Sequence, residues 1–412
     1  MPSDESLDER APRRPYVVAA IGAAVIVVLT AIGFVTSRDD WRRAGGPIGV
    51  TGWAPYWQPE ASLESFTTNG ALFSDVSVVA YSATGATAIS AYDGLPADMV
   101  PTFRAAAKDA GVPLLATVFD DSPRGAMAAV LANPATRAKH VEALVTLVTT
   151  AGTDALGYDG LDLDYETFAF SDPRSTWATT SVAWIAFLTE LSAALQPLDK
   201  LLVVSVPPVY DGERTDRSGY WVYDYAAMAP LVDRIRMMTY DYSVASGEPG
   251  PVAPIRWVAD TIDAVTKLVP PEKIDLGIPT YGYDWVVSIT GTCPTDQTPK
   301  SKAIGTARAE RTIAERGLTA SWDDETAEMR FDYTDTLNGL DANGTATTCT
   351  VARTVRYLDA RAIHDRAWLA HRNDLHGIAL WALGNEDAAT WVGINAARGG
   401  QRNWVPATSS AP

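Results

Sequence analysis

The chain has 412 residues, 47% of them hydrophobic and 20% charged, a globular composition with ample length for a large core. Its net charge of −17 argues against general nucleic-acid binding, which needs a basic surface, and favours a neutral or cationic partner. Thirteen Trp and sixteen Tyr suit either core packing or sugar-stacking platforms, and composition does not choose between them.

The first feature along the chain is "YVVAAIGAAVIVVLTAIGFV", Tyr16 to Val35. This uncharged run is long enough to cross a bilayer as one helix, and it shows no polar face. It exceeds the usual apolar core of a signal peptide, and no A-x-A-like site follows it. An uncleaved transmembrane signal anchor is therefore expected, with cleavage and secretion as the alternative. Arg10, Arg13 and Arg14 on one side face Arg38, Arg42 and Arg43 on the other, so charge does not set the orientation. The short tail is expected inside and the large C-terminal part outside, making residues 1–47 tail, anchor and linker.

From Ile48 a short β-rich run alternates with a longer helical stretch. The strand candidates are "IGVTGWAPYW", "VSVVAYSA", "PLLATVF", "GLDLDYE", "LLVVSVPP", "RIRMMTYD", "KIDLGIPTYG" and "GIALWALG". Helical patterns such as "DMVPTFRAAAKDAG" and "TSVAWIAFLTELSAALQ" lie between most of them. Such alternation implies parallel strands with right-handed crossovers. Eight units over residues 48–398 predict an α/β fold, a (β/α)8 TIM barrel. A doubly wound sheet is the alternative, but no G-x-G-x-x-G or G-x-S-x-G is present.

One interval breaks the rhythm. Residues 286–356, between the seventh strand and the seventh helix, read as a small α+β insertion with antiparallel strands around a Gly/Asn/Asp turn. It carries both cysteines, Cys293 and Cys349. An exported domain can join them in a disulfide, whereas two isolated cysteines without a nearby His make a poor metal site. Two buried thiols are the alternative. Residues 399–412 are expected to be a disordered tail.

The chemistry concentrates in "YDGLDLDYETF", Tyr158 to Phe168. Residues two apart on a strand share a face. Asp162, Asp164 and Glu166 therefore point one way, and Leu161, Leu163 and Tyr165 the other. In a barrel the apolar set packs on the helices, and the acids rise toward the C-terminal end, where barrel active sites lie. Crowded, desolvated acids raise at least one pKa, and a carboxyl still protonated near neutral pH is a general acid. Glu166 is the natural candidate, with Asp164 beside it. Carboxylates also bind Ca²⁺ or Mg²⁺, but EF-hand spacing and a neighbouring His are lacking, so no metal and no cofactor are expected.

"DGLDLDYE" resembles the D-G-x-D-x-D-x-E signature of glycoside hydrolase family 18, the chitinases and endo-β-N-acetylglucosaminidases. "MTYD", Met238 to Asp241, "GIPTYGYDW", Gly277 to Trp285, and "GIALWALGNED", Gly377 to Asp387, resemble the family's sixth, seventh and eighth strands. The last two are similar to the bacterial branch that includes spore-cortex and peptidoglycan-fragment glucosaminidases. The resemblance implies substrate-assisted, retaining hydrolysis. Glu166 would be acid and then base, Asp164 would orient the 2-acetamido group, and Asp162 would tune Asp164 through a shared proton. Tyr240 would bond the acetamido carbonyl, Asp241 and Met238 would line the same sugar, and Trp381 would form its floor. Trp53, Tyr56 and Trp57 at the first strand's end, with Tyr281 and Trp285, suit either the cleft or the core. "PLLATVFDDS" lacks the S-x-G-G of typical chitinases, which puts substrate specificity in doubt. The expectation is a monomeric, membrane-anchored, extracytoplasmic hydrolase of β-1,4 bonds in 2-acetamido-sugar glycans, with no nucleic-acid partner. A non-catalytic glycan-binding barrel and a metal-dependent hydrolase are the rivals. Relatives of the first kind usually lack the terminal Glu, which is present here.

Overall fold

The computed structural model describes residues 46–150 and 157–406. The predicted anchor, Tyr16 to Val35, lies outside the described residues. Eight strands form the barrel: β1 (Gly49–Pro55), β2 (Val76–Ala83), β4 (Leu114–Asp120), β5 (Gly160–Asp164), β6 (Leu201–Val206), β7 (Arg234–Met237), β8 (Ile274–Pro279) and β14 (Gly377–Trp381). Each pairs in parallel with the next, β14 returns to β1, and β1 also pairs with β2, which closes the ring. All eight runs expected from the sequence are present. The short β3 (Ile89–Ala91) adds an antiparallel edge to β2.

The barrel strands are buried on both faces, inside by the ring and outside by helices, and are accordingly rich in Val, Leu and Ile. The layer contains α1 (Pro59–Asn69), α2 (Met99–Ala110), α3 (Ala126–Ala132), α4 (Pro134–Thr150), the short α5 (Thr167–Phe170), α6 (Trp177–Leu195), the short α7 (Tyr225–Met228) and α8 (Ile255–Val265). After the insertion come α10 (Ala360–Arg372) and α11 (Ala388–Arg398). Asp359 and Asp387 cap these last two by accepting from Ala362 N and Thr390 N, each at 2.8 Å, which satisfies otherwise orphaned donors. Among the described residues, 174–198 is the one helical stretch long and apolar enough to cross a membrane. It contains α6, whose Trp184, Phe187 and Leu188 are fully buried in the barrel's core, so its apolarity has a packing explanation.

The insertion is a five-stranded antiparallel sheet in the order β10-β9-β13-β12-β11. Its elements are β9 (Tyr281–Gly291), β10 (Lys302–Gly305), α9 (Thr306–Arg316), β11 (Ser321–Asp323), β12 (Glu328–Leu340) and β13 (Ala346–Tyr357). It begins at Tyr281, five residues before the expected boundary. The "YG" placed in the barrel strand belongs to the insertion, because only Thr280 separates β8 from β9. Gly282 permits this: a Cβ there would lie 1.9 Å from the Arg356 carbonyl oxygen, so only glycine lets β9 approach β13 so closely. Cys293 and Cys349 form a disulfide across 56 residues, which overturns the free-thiol alternative and stabilises the loop by about 4 kcal/mol in the chain-entropy model.

Part of the segment expected to be a disordered tail is packed. His364 Nε2 lies 2.9 Å from the Gln401 carbonyl, and the Trp404 ring is 5.3 Å from the His364 ring. Gly393 leaves the room, since a Cβ there would meet Trp404 at 2.9 Å. Residues 407–412 lie outside the described part.

Candidate active site

β5 presents its residues as the alternation requires. Leu161, Leu163 and Tyr165 face the helices and are fully buried. Tyr165 stacks on Phe187 of α6, and its hydroxyl lies 2.7 Å from His140 Nε2 of α4. Asp162 and Asp164 face the barrel interior. The strand ends at Asp164, and Glu166 stands one step beyond it, at the start of α5 with φ −93° and ψ −14°. The row therefore leaves the strand at its top: two buried aspartates, then a half-buried glutamate on the rim.

Asp162 is held from four sides. It accepts from Trp53 Nε1 at 2.6 Å, Thr117 Oγ1 at 3.2 Å, Ser205 Oγ at 2.7 Å and Arg236 Nη1 at 2.7 Å. Arg236 is fully buried on the interior face of β7, and it also lies 2.5 Å from Asp75 and 3.7 Å from Asp275. Burial works against its charge, but Asp162, Asp75 and Asp275 together outweigh burial and keep the guanidinium protonated. Arg234, two residues before it, reaches Asp75 at 2.8 Å and His376 at 3.2 Å.

The upper two acids behave differently. The carboxyls of Asp164 and Glu166 are near enough for each to shift the other's pKa, and neighbouring acids that share a site do not both ionise readily. Burial, then the charges of Glu166 and Asp162, push Asp164 well above the usual carboxylate range, with Arg236 opposing. Burial, then the charge of Asp241, push Glu166 up to about 7, and the bond to Asp164 pulls the other way. Asp162, held by four donors below, bears on Asp164 as a nearby charge. Asp164 Oδ1 is buried with no hydrogen-bond partner among the described residues.

Tyr240 and Asp241 follow β7 and close the other side. The Tyr240 ring passes over Gly277 of β8, where a Cβ would lie 2.9 Å from its Cε1. Asp164 and Glu166 are near enough to add to the burial that raises the Tyr240 phenol above its ordinary range. Asp241 adopts φ +58°, a conformation uncommon outside glycine and tolerated by Asp. It accepts from the hydroxyls of Tyr281 and, at 2.8 Å, Tyr283. Trp381, at the end of β14, packs edge-on to Trp53 at 5.7 Å and Trp57 at 6.2 Å.

The sequence profile of the family "Glycosyl hydrolases family 18" matches residues 74–386. The chain belongs to glycoside hydrolase family 18. The glycosylase YvbX of Bacillus subtilis is 25% identical over 265 residues, 64% of this chain and 67% of that one. The cortical fragment-lytic enzyme of the same organism is 31% identical over 175 residues, covering 42% of this chain and only 36% of its own length. Two crystal structures share the fold: a chitinase from Chromobacterium violaceum (TM-score 0.66, 24% identity, 85% of this chain and 98% of that one) and the Bacillus megaterium spore cortex-lytic enzyme SleL (TM-score 0.67, 20% identity, 85% and 74%).

Within this family 18 barrel, the remaining expected site residues separate into two groups. Tyr281 reaches Asp241, and Trp57 is exposed beside Trp381. Trp53 and Trp285 are fully buried. Trp53 serves from below, through its bond to Asp162, and Trp285 donates to the Val244 carbonyl at 3.1 Å. Met238 is also buried, behind Tyr240. Sequence reading missed Arg236, Tyr283 and, on the rim beside Tyr56, Phe119 and Tyr92. Phe119 stands beside Asp164 in register. Tyr92 stacks on Tyr56 at 5.0 Å and donates to Asp121 at 2.7 Å. Among the described residues, no cluster of three His, Cys, Asp or Glu could hold a metal ion.

Arg236→Met is expected to destabilise the fold by about 3–5 kcal/mol, because it removes the buried cation that pairs with Asp162 and also reaches Asp75 and Asp275; denaturant unfolding measures it. The raised Glu166 pKa has a stability consequence. The folded state binds this proton more tightly than the unfolded chain, so stability present below pH 4.5 falls as pH rises through about 7. Glu166→Gln should therefore gain in stability relative to wild type across that window, as read by thermal unfolding at a series of pH values.

Proposed function

We propose that this family 18 hydrolase cleaves β-1,4 bonds on the reducing side of an N-acetylated sugar, by substrate-assisted retaining catalysis. The observation that carries the reading is the Asp164–Glu166 pair, a buried and a half-buried acid that bear on each other's pKa, directly above Asp162 and its Arg236 partner. A retaining mechanism with two protein carboxylates needs a second acid free to attack. Here Asp164 stands against Glu166, and its Oδ1 is a buried acceptor with no hydrogen-bond partner among the described residues. That atom suits the N–H of a 2-acetamido group, which would attack its own anomeric carbon through its carbonyl oxygen.

The steps follow from the protonation states. Glu166 donates its proton to the leaving glycosidic oxygen as the C1–O bond breaks. The acetamido oxygen bonds to C1 and forms a cyclic oxazolinium ion, whose positive charge falls beside Asp164. Tyr240 donates to the acetamido oxygen and holds it below the ring. Glu166, now a carboxylate, takes a proton from water as that water attacks C1, restoring the acid and releasing the amide. Trp381 supplies an aromatic face for the pyranose, and Asp241 accepts from a sugar hydroxyl.

The substrate class rests on the acetamido requirement and on the relatives' names, which include a chitinase and cortex-lytic enzymes. Peptidoglycan-derived glycan and chitin-type oligosaccharides both satisfy it. The apolar run Tyr16–Val35 supports a membrane-anchored enzyme with its barrel outside the cytoplasm. Fractionation of the full chain tests this: it should sediment with membranes and be released by detergent, and recovery in the salt-washed soluble fraction would refute the anchor.

Glu166→Gln is expected to lower kcat by about 10²–10⁴-fold, the usual weight of a general acid, while binding of oligosaccharide measured by calorimetry persists. An analogue with a 2-hydroxyl in place of the acetamido group should not turn over, and efficient cleavage of it would rule out substrate assistance. Activity should fall as pH rises through about 7, where Glu166 loses its proton.

A further inference from the structure

The outer face of the insertion sheet bears on which acetamido glycan the site accepts. In an antiparallel sheet, residues directly opposite one another share a face. Tyr283, Arg356 and Arg330 are opposite partners on β9, β13 and β12, so they form one row across the sheet. Trp285, Thr354 and Asp332 form the next. The near end of these rows is fixed at the active site, since Tyr283 donates to Asp241 and Trp285 donates to the Val244 carbonyl. With strands about 4.8 Å apart, Arg356 stands about 5 Å and Arg330 about 10 Å along the sheet from Tyr283. The opposite face carries Phe331 and Tyr333, which pack in a separate small core with Ala309 of α9. The arginine row therefore lies on the solvent side.

That side lines a groove of about 700 Å³, with Glu248 and Pro249 as its other wall. The volume is typical of small-ligand sites. Like charges placed directly opposite on neighbouring strands are destabilising, yet Arg330 and Arg356 are so placed. Their existing partners leave capacity. Arg330 lies 3.1 Å from Asp332 through one nitrogen, with the two side chains 47% and 60% exposed. Such a pair is worth little, and a guanidinium carries five N–H donors. Arg356 binds Asp323 at 2.9 Å through Nη2. Asp332 and Glu248 balance the two arginines, so the groove does not gather anions by field alone. Recognition here depends on planar, bidentate hydrogen bonding, which guanidinium groups offer to carboxylates.

We propose that the Arg356–Arg330 row is a carboxylate subsite of the active-site cleft, and that the enzyme prefers acetamido glycans bearing acidic substituents, such as lactyl ethers or peptides, over neutral chitin-type chains. The proposal rests on the hydrolase reading above. Steady-state kinetics on soluble peptidoglycan fragments, and on the same fragments with their carboxyls methyl-esterified, test it. Wild type is expected to show a KM about tenfold lower for the acid than for the ester, the weight of one charge-assisted hydrogen bond. Arg330→Ala, at an exposed position, should bring that ratio near one. A wild-type ratio near one, or a ratio that survives Arg330→Ala, overturns the subsite while leaving the hydrolase reading intact. If wild type cleaves neither fragment nor chitooligosaccharide, the hydrolase reading fails instead. Calorimetric binding of acid and ester fragments to wild type and Arg330→Ala then still decides on the arginine row.

Discussion

Arg236 is the constraint on which the site depends. A barrel interior is a poor place for charge, and an unpaired ion there costs several kcal/mol. Yet the lower half of this barrel holds Asp75, Asp162 and Asp275. The guanidinium of Arg236 touches all three, and Thr51, Ser77, Thr117 and Ser205 supply hydroxyls from neighbouring strands. His376 completes the other side of Asp275 at 2.5 Å. The polar groups of one strand find their partners on other strands. The ring must therefore close in register before any of these groups is compensated, which ties the charge network to the fold's specificity.

This floor decides what the upper acids can do. Asp162 is held by Trp53, Thr117, Ser205 and Arg236. It acts on Asp164 only as a nearby negative charge, and Arg236 partly offsets that. Asp164 then gains most from the one neighbour that can share a proton, Glu166. The pair gives one proton two owners, poised near neutrality by burial and by Asp241. A general acid that must become a base in the next step benefits from such a partner, since the proton's departure is compensated locally. The separation into a fixed lower charge and a mobile upper proton is the usual way in which neighbouring carboxyls take different roles.

The barrel and the acid row were legible because both follow a period of two. Leu161, Leu163 and Tyr165 alternate with Asp162 and Asp164, and nothing in the fold disturbs that alternation until the strand ends. The same signal was present in "RIRM": Ile235 and Met237 enter the helix-facing core, while Arg234 and Arg236 point inward. Two arginines inside a barrel make no sense until their carboxylate partners, Asp275, Asp162 and Asp75 on distant segments of the chain, are brought to them. Tyr283 was hidden for a different reason. Its role depends on where β8 stops and β9 starts, and a single residue, Thr280, marks that boundary. Trp53 and Trp285 show the limit of composition. Both are conspicuous large aromatics near the site, and both are buried, one holding Asp162 and the other the segment after Asp241.

The insertion is more than an addition to the barrel's edge. β9 leaves β8 so abruptly that its first residues, Tyr281 and Tyr283, still belong to the catalytic end and hold Asp241. Its last residues pair with β13 beside the Cys293–Cys349 disulfide. One strand thus joins Asp241 to a sheet pinned at its far end. The chemistry, set by β5 and β7, is insulated in the barrel, where any substitution disturbs a buried ion network. The solvent face of the insertion sheet carries no such burden, since Phe331, Tyr357 and Ile304 pack on the other side. Residues on that face can change with little cost to stability while standing within two strand spacings of Tyr283. A protein built this way can alter which glycan it accepts without altering how it cuts, and the paired arginines on that face are where such a choice has physical means to act.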